Sequence, residues 1–143
     1  MSSCRVPPDR DLDVTKTVYT VGRDLGVSAT VMLAAFEAGW VESHMNNLDC
    51  GDKDSLGVFQ QRPSQGWGAP ERITRVSYAA ERFFDRAVEV EERHPGLTAG
   101  QLAQRVQRSA FPDRYDAAEA KARELLAEAR DAAEAAGAAE RTD

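Results

Sequence analysis

Glu42 stands near the end of an apolar stretch, with Val31, Ala35 and Ala38 eleven, seven and four residues before it. Those spacings place all four on one helical face. A carboxyl group on such a face is partly desolvated, which disfavours its anion and raises its pKa. A general acid working near neutral pH needs that property. A glutamate at a helix end could equally point to solvent. Glu37 is the competing carboxylate. At about 100° per residue it lies about 140° around the helix from Glu42, so the two do not share one cleft. One of them therefore reads as structural or exposed.

The segment Asn47-Leu48-Asp49-Cys50-Gly51-Asp52-Lys53-Asp54 is rich in carboxylates. It fails the calcium-loop template, because no Glu stands twelfth from Asn47, Asp49 or Asp52. Asp49, Asp52 and Asp54 could supply a second carboxylate or simply solvate the loop. Gly57-Val58-Phe59-Gln60-Gln61 combines a permissive glycine with two amides. Each amide offers a donor and an acceptor, which suits sugar hydroxyl and acetamido groups. Gln65, Trp67 and Tyr78 add an amide and two aromatic faces, while Phe59 reads as core. His44 and His94 have no Ser or Cys partner in a nucleophile motif, so triad chemistry has no support. The two histidines and two cysteines lack zinc-ligand spacing, and neither a metal nor a cofactor is expected. Cys4 and Cys50 could bridge the N-terminal arm to the polar loop in an oxidising compartment, or stay free thiols.

These groups must be held by helices. Val14, Val18, Val21 and Leu25 form an amphipathic stripe, with Asp11 or Asp13 as N-cap and Gly26 as stop. Ser28 caps a second helix over 29–43 that is apolar on two faces and so reads as central. Residues 46–55 read as a loop, and residues 56–61 are ambiguous between a helical turn and a strand. Pro70 can start a short turn. Ser77 can cap a third long helix to about residue 93. Thr98 and Gln101 have capping-box spacing and open a fourth through Val106. A last helix starts near Asp113. The expected class is all-α, with at most a minimal β element near 47–61. The expected organisation is an arm over 1–12, a body over 13–115 and an Ala/Glu-rich tail over 116–143. That tail is helical by propensity, but its last part has little to bury and is expected to fray or project.

The 143 residues carry 18 basic and 24 acidic groups, a net charge of −6. That balance argues against a nucleic-acid module. No run approaches the ~20 apolar residues of a membrane helix. No signal peptide is visible in the first ten residues, which leaves a cytosolic protein or one whose leader has been removed.

Glu42-Ser43, a short Asn-containing loop and then Ser55-Leu56-Gly57-Val58-Phe59-Gln60 resemble the Glu-Ser … Gly-Leu-Met-Gln signature of soluble lytic transglycosylases and goose-type lysozymes. The longer string from Ala34 through Gly39, and from Asp54 through Gly68, is similar to lysozyme-like domains of high-GC Gram-positive bacteria and their phages. The resemblance covers residues 14 to 115. It implies a lysozyme-like helical fold and cleavage of the β-1,4 bond between N-acetylmuramic acid and N-acetylglucosamine. It also implies Glu42 as the catalytic acid, Ser43 as the serine beside it and Gln60 as a glutamine lining the cleft. The family's Tyr-Asn-Ala-Gly segment is replaced by Val106-Gln107-Arg108-Ser109-Ala110, which puts Gln107 on the substrate side. General glycosidase chemistry uses two carboxylates. The resemblance to lytic transglycosylases implies a route with one. The expected partner is peptidoglycan or a related N-acetylated glycan, bound by a monomer with no membrane contact. The expected site of action is the cell wall or the extracellular space, with a cytoplasmic or phage-associated protein as the alternative. A rival reading is a non-catalytic glycan-binding or phage-structural module that keeps the fold.

Overall fold

The structure is a computed structural model and describes residues 4–141. Seven α-helices follow one another: α1 (Leu12–Leu25), α2 (Ala29–Ser43), α3 (Pro70–Ile73), α4 (Val76–Arg93), α5 (Ala99–Gln107), α6 (Arg114–Ala117) and α7 (Glu119–Arg141). Among the described residues the only β feature is a bridge between Leu56 and Gln61. The chain is thus all-α, and residues 56–61 resolve into a tight turn closed by two backbone hydrogen bonds of 3.0 Å. Among the described residues no helix is long and apolar enough to cross a membrane.

The helix boundaries follow their local chemistry. The Asp11 side chain accepts from the Asp13 and Val14 amides, and Gly26 ends α1 in the left-handed conformation. Ser28 caps α2 through the Val31 amide. Thr98 and Gln101 form a reciprocal capping box on α5. Ser77, expected as a cap, instead lies inside the first turn of α4, whose N-cap is Arg75 without a side-chain bond. The last helix is broken at Ala118, which separates α6 from α7.

Helix α2 is the hub and touches α1, α4, α5, α6 and α7. Every residue from Val31 to Gly39 on it is buried. Phe36, Phe59, Phe83 and Phe84 fill the core, with the Phe59 and Phe83 rings stacked at 4.8 Å. That stack fastens the 56–61 turn to α4.

The C-terminal helix packs on the body as far as Ala133; beyond it no described side chain to Glu140 is buried, in keeping with a last part that has little to bury. Helix α7 lies across α1 and α2 and buries Ala122, Leu125, Ala129 and Ala133. Alanines let helix axes approach closely, so a segment poor in large side chains still packs. The N-terminal arm is held just as firmly. Cys4 and Cys50 form a disulfide with a Cα–Cα distance of 5.5 Å. The Pro7 carbonyl meets His44 Nδ1 at 2.9 Å, and the Asp9 carbonyl accepts from Asn46 at 2.9 Å. Arg10 forks onto Glu128 of α7 at 2.6 and 2.8 Å.

Glu37 is fully buried on α2, and neither carboxylate oxygen has a hydrogen-bond partner among the described residues. Burial, then the charges of Asp116 and Glu119, push its pKa from the ordinary 4.5 up to about 8, against the opposing pull of Arg123. The folded protein therefore holds a proton that the unfolded chain releases near 4.5. The stabilising contribution is complete below that pH and lost as pH rises through about 8. Glu37→Met is expected to flatten the pH dependence and stabilise the protein at pH 8 by on the order of 2 kcal/mol, read by urea unfolding at several pH values. Leu125→Ala is expected to cost roughly 2–4 kcal/mol in the same assay. A loose C-terminal helix would leave that unfolding curve unmoved.

Candidate functional site

The end of α2, the 56–61 turn, the Trp67 loop, α4 and the end of α5 enclose a cleft of about 400 Å³. Glu42 opens into it from the last turn of α2, with its side chain 18% exposed. Helix α2 stops just beyond, because His44 adopts the left-handed conformation at φ 52°.

Three groups meet the Glu42 carboxylate. Gln107 Nε2 donates to Oε2 at 3.1 Å, and the Tyr115 hydroxyl reaches the same oxygen at 3.5 Å. Arg114 lies 3.6 Å from Oε1. Burial raises the Glu42 pKa, and Arg114, Gln107 and Tyr115 pull against that rise without cancelling it. Burial, helped by the Glu42 charge, also pushes the Tyr115 hydroxyl up, so it remains a donor. The result is a carboxyl group held toward its acid form, with neighbours ready to stabilise the anion once its proton has left.

Most residues singled out in the sequence surround this cleft, but several act on the backbone and not on the opening. Ser43 is fully buried; its hydroxyl donates to the Val58 carbonyl at 2.6 Å and accepts from the Asn46 amide at 3.1 Å. It ties the end of α2 to the turn and lies off the cleft wall, so direct substrate contact gives way to a positioning role. Gln60 lines the cleft with its amide nitrogen bonded to the Cys50 and Gly57 carbonyls, both at 3.1 Å. Its amide rests on Gly51, where a Cβ would fall 1.9 Å from Oε1. Gly57, at φ 81°, makes the reversal that sets Gln60 there.

Gln61 also lines the cleft and is almost wholly buried. Its amide nitrogen donates to the Ala79 carbonyl at 3.1 Å, and its Oε1 has no partner among the described residues. Gln107 uses one amide nitrogen twice, on Glu42 and on the Phe59 carbonyl at 2.7 Å. Gln65 lines the cleft and is exposed.

Trp67 lines the cleft at 7% exposure, with Arg86 stacked 3.6 Å from its ring centroid. That aromatic face is therefore covered by a guanidinium, which leaves the ring's other surroundings to the core. Tyr78 does not line the cleft; its hydroxyl donates to the Trp67 carbonyl at 3.2 Å and supports the loop.

Asp49 and Asp52 are exposed on the loop and do not line the cleft. Asp54 is paired with Arg62 and accepts from the Ser64 amide at 2.9 Å, which holds its carboxyl well below the usual range. None of the three stands beside Glu42 as a second carboxylate. Among the described residues no group of three or more His, Cys, Asp or Glu side chains could hold a metal ion.

Residue reading missed Arg114 and Tyr115, together with Arg62, Arg86 and Arg108 in the cleft wall. Tyr115 contacts Glu42 across 73 residues of chain, and no periodicity links them. Its one sequence signal was an isolated aromatic just after the Pro112 turn, eight residues beyond Gln107.

Comparison with protein-family models and with curated proteins finds no match for this chain. The geometry yields its own test. In a carbon-13 titration the Glu42 carboxyl is expected to titrate above an ordinary glutamate, and Arg114→Gln is expected to move it further up, because a charge favouring the anion has gone. A downward shift would contradict the assigned contact.

Proposed function

We propose that the protein cleaves peptidoglycan, or a related N-acetylated glycan, as a lysozyme-like enzyme with Glu42 as its single catalytic carboxylate. The observation that carries this reading is Glu42 itself: a partly buried carboxyl with a raised pKa, open to a cleft walled by amides. The Glu42-Ser43 and Gly57-Val58-Phe59-Gln60 segments, which resemble the lytic transglycosylase signature, lie side by side at this cleft. Glu42 and Gln60 line it, and the buried Ser43–Val58 bond joins the two segments.

Among the described residues Glu42 is the only acidic residue lining the cleft. That favours the lyase route over hydrolysis, which ordinarily calls on a second carboxylate. Glu42 gives its proton to the glycosidic oxygen as the bond from C1 to that oxygen breaks. Gln107, Tyr115 and Arg114 stabilise the carboxylate left behind. The sugar's own 6-hydroxyl then attacks C1 and passes its proton back to Glu42. A 1,6-anhydro ring closes, no water is consumed, and the acid is regenerated.

The Cys4–Cys50 disulfide supports an oxidising compartment. That agrees with work at a cell wall or outside the cell, and disfavours the cytoplasmic alternative.

Purified peptidoglycan digested with the protein should release muropeptides with 1,6-anhydro ends, identified by mass spectrometry. Reducing ends would redirect the reading to hydrolysis. Glu42→Gln is expected to lower turnover by about 10²-fold or more. Equal inertness of the wild type and Glu42→Gln, with glycan binding retained, would favour the non-catalytic glycan-binding module.

A further inference from the structure

A second depression of about 490 Å³ between α4 and α5 adjoins the Glu42 cleft. The two share Arg86, Val106 and Arg108. Five arginines line the pair of hollows, against two acidic residues, Glu42 and Glu89. Three of the five are already engaged. Arg62 pairs with Asp54, Arg93 pairs with Glu89 at 2.8 Å, and Arg105 meets the His94 ring at 3.3 Å.

The remaining two arginines stand where the hollows join. Arg86 makes one hydrogen bond, to the Gly66 carbonyl at 3.2 Å, and is held flat by the Trp67 ring. A guanidinium has five N–H donors, so among the described residues most of its fork has no partner. The Arg108 side chain has no hydrogen-bond or ion-pair partner among the described residues and is exposed. It sits left-handed at φ 53° directly after α5, which turns the chain away from the helix at the cleft rim. Burial, followed by the charges of Arg82 and Arg108, pushes the Arg86 pKa down. Glu89 pulls the other way but is itself paired with Arg93, so the positive charge here exceeds the negative, in a chain whose net charge is −6.

The shape of these groups selects a ligand chemistry. A planar guanidinium fork fixed by stacking binds a carboxylate through paired, charge-assisted hydrogen bonds. Of the two sugars in the proposed glycan, N-acetylglucosamine carries only hydroxyl and acetamido groups. N-acetylmuramic acid adds a lactyl ether whose carboxyl is either free or joined to a peptide bearing carboxylates of its own. We propose that Arg86 and Arg108 form an anion subsite at the junction of the two hollows, which takes a carboxylate carried by the muramyl unit of a glycan lying in the Glu42 cleft. The proposal rests on the glycan-cleaving reading and specifies which of the two sugars the arginines distinguish.

Binding to three probes tests it by calorimetry at low salt. The first is N-acetylmuramyl-L-alanyl-D-isoglutamine, which ends in one carboxylate. The second is its neutral terminal amide, and the third is uncharged chitotetraose, titrated into Glu42→Gln to prevent turnover. The acid is expected to bind about fivefold or more tightly than the amide. That advantage should fall as salt rises and disappear in Arg86→Gln and in Arg108→Gln. Arg108 is exposed, so its variant keeps the test valid if loss of the Trp67 stack unsettles the Arg86 variant. Equal binding of acid and amide would overturn the subsite and leave the glycan reading standing. So would inorganic phosphate binding as tightly as the acid, since the arginines would then take any anion. Failure of all three sugar probes to bind would overturn the glycan reading and the subsite with it.

Discussion

A carboxyl group that must be shielded from bulk water and still open to a cleft sets the terms for everything around α2. Burial alone would leave such a group orphaned, and Glu37 is that case on the same helix. Glu42 differs because α5 and α6 close over the last turn of α2 and bring Gln107, Arg114 and Tyr115 to its oxygens. The two carboxyls have opposite consequences. Glu37 is held protonated in the core, where its proton bears on stability. Glu42 keeps an anion-stabilising set of partners, so proton release there leaves a supported carboxylate.

The floor of the cleft is built by the same side chains that were expected to read a sugar. Ser43 holds Val58, Gln60 holds the Cys50 and Gly57 carbonyls, and Gln61 holds Ala79. An irregular turn of backbone cannot satisfy its own polar groups, so neighbouring amides and hydroxyls must do so. On the proposed reading, recognition falls to the capacity left over. Gln61 Oε1 is buried and faces no opening, whereas Gln65 is exposed and, among the described residues, the Arg86 and Arg108 guanidinia keep free donors. Trp67 acts through the arginine it orients more than through its own face.

The sequence disclosed what repeats locally. The Ser28 cap, the Gly26 stop and the Thr98–Gln101 box fix helix ends by contacts within a few residues, and those ends appear where the spacing places them. The all-α class and the central place of α2 follow from apolar patterning on more than one face. The C-terminal segment divides as its composition implies: Ala122, Leu125, Ala129 and Ala133 bury themselves where α7 meets α1 and α2, while no described side chain from 134 to 140 is buried. The Cys4–Cys50 pairing stayed open because two thiols 46 residues apart show no geometry until the arm is placed. Glu42 was visible through its helical face. Arg114 and Tyr115 were not, since their contacts with it span more than 70 residues and depend on how the turn after α5 folds back.

Net charge is a poor guide to what this cleft attracts. Residues 115–143 carry 4 basic and 8 acidic groups, while residues 1–114 carry 14 and 16. The acidity is thus concentrated in the segment that forms most of α6 and all of α7, and α7 packs on α1 and α2. The unmatched arginines come from α4 and the residue after α5. At physiological salt, exposed charges more than ~8 Å apart are largely screened from one another. A ligand at the cleft therefore responds chiefly to Arg86, Arg108 and Glu42, and only weakly to the acidic helix. An acidic chain is not drawn at long range to the anionic glycan proposed as its ligand, while the local field at the arginine-lined cleft has the opposite sign. On the proposed reading, selectivity arises after contact, where a carboxylate and a hydroxyl present different partners to the same guanidinium fork.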